Sequence, residues 1–471
     1  MQGSSFNKKV GIYFIGMLSS KILSVLLIPI YAFYVSADVL GYYDYTITIM
    51  SILIPCVYIA IWEALLRFIL SEKNDVTKRV AIATSAIFSL FMTCLLIVGS
   101  IVYGNLFINN AKIVPLIVIM FASYGLTNIW QYFARALEEN RVYVFAGVIG
   151  TIINFVSVVI LVCIMELGLQ GLFTSYILGQ VSILVFIERK VHVRKYINIK
   201  YFRIKTLKKM LLFSAPLVLN LISMWLMSAF GRFIITQKIG VNANGLFSFA
   251  SKFSLIVTMI GSVITMAIIE EAIISAKTKG LDSSFTSKIE NVFKVFQSII
   301  LVAVPLIVIF YNFIDGTDYN NSMQYAPWLL LYAIANIMSS NLAAVFQVID
   351  KTNYQFITTL IGAVVTVLIS YGLISLIGIY AVVIGQIMGG ITMMLTRYRL
   401  INKYIKFKIA WNPIIGMTIL FIVVTLICLN SPLFINVIIF LLVIGVLYYF
   451  NLSYVKTGYV LIMNKIGKKR N

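Results

Sequence analysis

The chain has 471 residues, of which 61% are hydrophobic and 11% charged, and its surplus of cations gives a net charge of +21 at pH 7. A water-soluble domain of this size needs far more ionised surface, so an ordinary soluble enzyme or binding module is excluded and lipid is the solvent for most of the chain. Only helices and closed barrels satisfy their backbone in hydrocarbon, and the apolar runs are 18 to 26 residues long rather than short alternating strands. The expected fold class is therefore all-α: a polytopic integral membrane protein with about fourteen transmembrane helices.

The first run, 10 to 34, contains Lys21 and lacks a small-residue cleavage site after it, so it is read as a retained span and not a signal peptide. Spans two to six are expected near 43–66, 80–104, 112–134, 142–165 and 169–187. Next comes the most basic loop, Arg189 to Lys209, with nine Lys/Arg. Spans seven to twelve are expected near 211–235, 246–269, 294–314, 325–348, 356–374 and 378–396, and a last pair near 412–429 and 432–450. The implied organisation is an N-terminal six-helix lobe (1–187), a basic cytoplasmic linker (188–210), a second six-helix lobe (211–400), and an appended helix pair with a basic tail (401–471). No extramembrane segment is long enough to fold as a catalytic domain.

Basic loops resist translocation, which makes their distribution a test of orientation. With the N-terminus inside, the inner segments hold 32 of the 37 Lys and Arg residues, and the outer loops hold only Lys112 and Lys238. An odd number of spans would destroy that asymmetry, so both termini are expected in the cytoplasm. The charge is topological and implies no nucleic acid; its ordinary partner is an anionic inner leaflet.

Features of the first half recur about 204 to 213 residues later. Gly41-Tyr42-Tyr43-Asp44-Tyr45 opens span two as Gly245-Leu246-Phe247-Ser248-Phe249 opens span eight. Phe133, Glu138 and Asn140 leave span four as Phe346, Lys351 and Asn353 leave span ten, and Gly168-Leu169 is echoed by Gly378-Ile379. Two six-span units of the same orientation, related by an axis along the membrane normal, would suit an alternating-access transporter.

An ionisable side chain deep in a span is costly to insert and marks a candidate functional site. Lys21 lies mid-span, Lys252 in the outer third of span eight, and Arg232 near the outer end of span seven, where it either serves a site or snorkels to the interface. None of the sixteen acidic residues is an evident partner: Asp44 stands at an outer helix end and Glu63 at an inner one, beside Arg67. Cations without a built-in counterion suggest a water-filled cavity for an anionic group such as phosphate. Polar residues within spans, with Ser20, Asn220 and Gln347 as candidate sugar contacts, either face that cavity or join helices. Pro29, Pro55, Pro216, Pro305 and Pro327 mark either hinges or packing kinks.

Other chemistry is missing. The four cysteines, Cys56, Cys94, Cys163 and Cys428, lie in apolar runs with no metal or disulfide spacing, and the single histidine, His192, sits in the basic loop. There is no G-x-x-x-x-G-K-[ST] loop and no nucleophile–base set, so neither ATP hydrolysis nor enzymatic activity is expected, and no cofactor or metal.

The segments KVGIYFIGMLSSKILSVLLIPIYAFYVSADVLGYYDYT, LLFSAPLVLNLISMWLMSAFGRFIITQKIGVNANGLFSFASKFS and DYNNSMQYAPWLLLYAIANIMSSNLAAVFQVIDKTN resemble the polysaccharide repeat-unit flippases (O-antigen, capsule and teichoic-acid type) of the multidrug/oligosaccharidyl-lipid/polysaccharide exporter superfamily. The shared motifs are Pro216 early in span seven, Arg232 at its outer end, and the Gly245/Phe247 start of span eight. The resemblance implies a central cationic cavity opening alternately to either side of the bacterial cytoplasmic membrane, with undecaprenyl-diphosphate-linked oligosaccharide as substrate. Lys21, Arg232 and Lys252 become its diphosphate-binding candidates, and membrane lipids, a coupling ion (H+ or Na+) and a polysaccharide polymerase become its further partners. Many relatives carry Asp immediately before the Arg of span seven; here that position is Gly231, which predicts an Arg232 without a local carboxylate. A multidrug or metabolite exporter of the same superfamily would call for acidic cavity residues, and a glycan polymerase for a large outer loop.

Overall fold

A computed structural model describes residues 23, 25–70, 72, 74–108, 112–278, 283–349, 351–405 and 409–450. Among the described residues every regular element is helical, and twelve helices are long and apolar enough to cross a membrane. The chain is a multi-pass all-α membrane protein. Two shorter apolar helices, α1 (Val25–Tyr34) and the Leu433–Gly445 part of the last helix, stand at the expected first and fourteenth spans.

The following helices are α2 (Ala37–Val57), α3 (Ile61–Leu70), α4 (Asp75–Phe107), α5 (Val114–Ala136), α6 (Asn140–Val158), α7 (Gly168–Val191), α8 (Ile204–Ser228), α9 (Phe230–Lys238), α10 (Val241–Thr278), α11 (Ser283–Phe313), α12 (Ala326–Val348), α13 (Asn353–Ile377), α14 (Ile379–Ile401), α15 (Trp411–Asn430) and α16 (Leu433–Phe450). Local chemistry sets several starts. Ser36 accepts a hydrogen bond from the Val39 amide at α2, Asn74 accepts one from Val76 at α4, and a proline opens both α5 and α12, where the missing amide hydrogen costs nothing. Pro327 is thus a helix start, not a mid-helix kink.

Two expected spans are broken. Span two divides into α2 and α3 because Pro55 weakens the last turn of α2, and Ile59 and Ala60 then adopt positive φ of 51° and 44°. A β-branched residue pays a steric penalty there. Tyr58 holds the bend: its ring is fully buried and its hydroxyl lies 2.7 Å from Thr93 Oγ1 of α4. Span seven is likewise interrupted at Ala229, between α8 and α9. A period count cannot see either break, since both halves remain apolar.

The helices fall into two compact units, Met1–Lys252 with Gln355–Met393, and Phe253–Tyr354 with Met394–Asn471. In the first, α7 packs along α5 and α6, α3 is wedged among α4, α5 and α8, and α2 leans on α7, α8 and α9. In the second, α11 packs against α12, α15 and α16. There Gln297 Nε2 donates to the Ile414 carbonyl at 2.9 Å and to Thr418 Oγ1 at 3.1 Å, Thr265 donates to Asn341 Oδ1 at 2.6 Å, and the buried Arg397 donates to the Ser339 carbonyl at 2.6 Å. In an apolar interior such side chains fasten helices together.

The sequence echoes have counterparts in backbone and packing. Gly168 and Gly378 both have positive φ, 50° and 58°, which spares each turn the strain a side chain would bring. Phe133 and Phe346 are both fully buried at helix ends.

Candidate functional site

The N-terminal turns of α2 and α10 meet within the first unit. A Cβ placed on Gly41 would strike the Val241 carbonyl, and one on Gly245 would strike the Ala37 carbonyl. The contact is reciprocal at the repeat offset: 37 corresponds to 241, and 41 to 245. The two elements therefore meet as the halves of a twofold interface do. Asn242 Nδ2 and Asp38 Oδ2, another corresponding pair, are 3.3 Å apart, and Asn244 Nδ2 donates to the Gly41 carbonyl at 2.8 Å. No side chain could intervene at such a crossing, which is what glycine at both positions provides.

One turn further along stands a cluster of charges. Arg232 of α9 points its guanidinium between α2 and α10: Nε lies 3.9 Å from Asp44 Oδ2 and donates to Ser248 Oγ at 3.3 Å, and Nη2 donates to Ser251 Oγ at 2.9 Å. The Arg232 and Asp44 side chains are 18% and 14% exposed. The carboxylate corrects the sequence expectation, because Arg232 does have an acidic neighbour, supplied by α2. Gly231 explains why it comes from there. A Cβ at 231 would press into Val382 of α14, so an aspartate at that position has no room.

Lys252 completes the cluster. It is half-buried on α10, its ammonium sits 4.6 Å from the centre of the Tyr31 ring, and it interacts electrostatically with both Asp44 and Arg232. It forms no hydrogen bond or ion pair with a described residue, so its three donors are uncommitted. Two cations share one carboxylate, leaving one net positive charge and spare donors in a partly desolvated place. That arrangement attracts an anion with several acceptor oxygens and repels a cationic ligand. No group of three or more His, Cys, Asp or Glu suited to a metal occurs among the described residues.

The sequence matches the family model described as polysaccharide biosynthesis protein over residues 6–269, more than half its length. The chain belongs to that family. No curated protein sequence matches it. Among solved structures it is similar to "Lipid II flippase MurJ, inward closed conformation", with 15% identity and a TM-score of 0.74 over 94% of this chain and 99% of that one. It is also similar to an inward-facing multidrug resistance MATE family transporter of the MOP superfamily, with 16% identity and a TM-score of 0.61 over 84% and 95% of the two chains. A third is a MOP superfamily transporter from Pyrococcus furiosus whose description reports reversed polarity of the binding pocket, with 16% identity and a TM-score of 0.57 over 84% and 96%. At these identities the likeness is one of fold. Family and fold together make this chain a multi-pass membrane protein of the polysaccharide biosynthesis family, with a fold like those of the flippase and transporter structures named above.

Of the sequence-derived candidates, the structure brings Arg232 and Lys252 together. Lys21 and Ser20 lie outside the described residues. Asn220 is half-buried on α8, on the other side of the break at Ala229 from Arg232. Gln347 is exposed near the end of α12 and belongs to the second unit. Asp44 was missed as a site residue. Its signal was the repeat itself: 44 corresponds to 248, and both corresponding side chains approach the same Arg232 Nε.

Proposed function

We propose that the chain is a flippase that moves undecaprenyl-diphosphate-linked oligosaccharide repeat units from the inner to the outer leaflet of the bacterial cytoplasmic membrane for cell-surface polysaccharide synthesis. The observation that carries this reading is the Arg232–Asp44–Lys252 cluster, with one net positive charge and the Lys252 donors unspent. A diphosphate supplies the charge and the acceptors this cluster lacks, while the polyprenyl tail stays in lipid and only the head group crosses. The reading places both termini in the cytoplasm and treats 1–187 and 211–400 as two lobes joined by the 188–210 linker, with 401–471 appended. On that topology the Gly41/Gly245 crossing closes the outer mouth, and alternating access consists of parting it after loading from inside. Lys21, on the same topology, is the mid-membrane relay for the diphosphate. A polymerase on the outer face consumes the product. Cationic drugs, the alternative cargo, would meet repulsion at this cluster.

The test is the amount and leaflet of lipid-linked oligosaccharide in cells depleted of the protein and complemented with wild type, Lys252→Ala, Lys252→Arg or Lys21→Ala. The expected result is accumulation on the cytoplasmic face, relieved by wild type and by Lys252→Arg but not by either alanine variant. Normal outer-leaflet delivery in depleted cells would overturn the reading.

A further inference from the structure

The basic segment between α7 and α8 is an ordered platform. His192 ends α7 with a positive φ of 56°, two short 3-10 turns follow at Val193–Tyr196 and Ile199–Tyr201, and Asn198 accepts a hydrogen bond from the Lys200 amide. Thr84 of α4 ties the segment down: its Oγ1 accepts from the Arg203 amide at 3.2 Å, and the Arg79 guanidinium lies 4.7 Å from the Tyr201 ring centre. Arg203 closes the last turn by donating to the Lys200 and Phe202 carbonyls. What this scaffold turns outward is an unusual mixture. Ile199 and Ile204 are 79% and 67% exposed, and Lys200, Lys205, Lys208 and Lys209 are exposed beside them.

No described residue neutralises those lysines. None of the four forms an ion pair with a described residue, and Glu188, the adjacent acid, is taken by Trp130 and Arg194. Lys205, Lys208 and Lys209 also stand on the first two turns of α8, the helix end whose dipole disfavours cations. Isoleucines open to water and lysines without counterions are both unfavourable alone. They are satisfied together where acyl chains meet anionic head groups, with the isoleucines dipping into the hydrocarbon boundary and the lysine stems extending along it.

We propose that this platform binds anionic glycerophospholipid of the inner leaflet, fixing the mid-chain linker to the membrane surface. The leaflet assignment rests on the topology given under the proposed function; binding of the lipid does not. Each lysine near an anionic surface strengthens association by about fivefold, so removing four is expected to weaken it by well over tenfold.

The experiment is native mass spectrometry of the full chain released from micelles doped with phosphatidylglycerol, phosphatidylcholine or undecaprenyl diphosphate. Wild type is expected to retain phosphatidylglycerol and not phosphatidylcholine. Retention should fall at least tenfold in the Lys200→Gln/Lys205→Gln/Lys208→Gln/Lys209→Gln variant, return in the corresponding four-arginine variant, and weaken in Ile199→Ser/Ile204→Ser. Lys252→Ala should retain phosphatidylglycerol as wild type does, so failure of the transport reading and failure of this one leave different patterns. Unchanged retention in the four-glutamine variant, equal retention of phosphatidylcholine, or a loss confined to undecaprenyl diphosphate would each overturn the proposal.

Discussion

The glycine crossing gives a direct handle on the proposed transport cycle. In Gly41→Ala the new Cβ stands 2.8 Å from the Gly245 amide nitrogen and closer still to the Val241 carbonyl, whereas ordinary contact begins at 3.4 Å. The helices must part by roughly 0.6 Å or more, because main-chain atoms cannot rotate aside as a side chain would. Overpacking of this kind costs about 1–3 kcal/mol, and rigid partners put both Gly41→Ala and Gly245→Ala toward the upper end. On the proposed cycle, in which this crossing closes the outer mouth, a penalty confined to the closed state shifts the closed-to-open ratio by up to about 150-fold. The assay uses a cysteine-less background with Asp38→Cys and Asn242→Cys, whose parent side chains lie 3.3 Å apart. Disulfide formation under mild oxidation then reports the closed mouth. Either alanine should sharply reduce cross-linking in membranes while the protein stays monodisperse, and Asn244→Ala, which loses only the hydrogen bond to the Gly41 carbonyl, should reduce it less. Undiminished cross-linking in both alanine variants would refute the reasoning, because it would mean that the crossing tolerates a methyl group and is not held by close backbone approach.

Three further outcomes follow from the same geometry. Asp44→Asn removes the carboxylate 3.9 Å from Arg232, so binding of undecaprenyl diphosphate to purified protein should tighten by about fivefold while delivery to the outer leaflet slows; weaker binding would mean that Asp44 positions the guanidinium rather than offsetting its charge. Gly231→Asp should lower thermal stability by about 1–3 kcal/mol through its clash with Val382, and Val382→Ala should restore much of it; a stable single variant would show that α14 yields at this contact. Gln297→Ala should cost about 1–2 kcal/mol by unfastening α11 from α15, read as a lower melting temperature with no change in diphosphate affinity.

Hydropathy made the fold class and the places of the twelve spanning helices legible, because length and apolarity are what the bilayer selects. It could not reveal the breaks at Ile59–Ala60 and Ala229, where the chain stays apolar while its direction changes. Nor could it say which way a polar side chain faces. In water an amphipathic stripe marks the buried side of a helix, but in lipid both sides are apolar, and Leu212 and Leu219 of α8 are exposed where a soluble helix would bury them. Thus Gln297 and Asn341 resolve as helix fasteners only once their partners are seen, and Asp44, placed by sequence at a helix end, joins the charge cluster only once α9 is folded against α2.

The charge cluster also shows what the repeat preserves and what it changes. Close approach is kept on both sides, with glycine at 41 and 245 and with Asp38 meeting Asn242. Charge is not kept. At the corresponding positions 44 and 248 one copy has a carboxylate and the other a hydroxyl, and both reach for a single arginine. A symmetric pair of aspartates would have neutralised Arg232 and Lys252 together and left nothing for an anionic cargo. A symmetric pair of serines would have left two like charges facing each other in a partly desolvated space, at a cost to folding. One carboxylate between two cations limits that repulsion and still leaves a net charge of one, and it is on this departure from symmetry that the proposed site for an anionic head group rests.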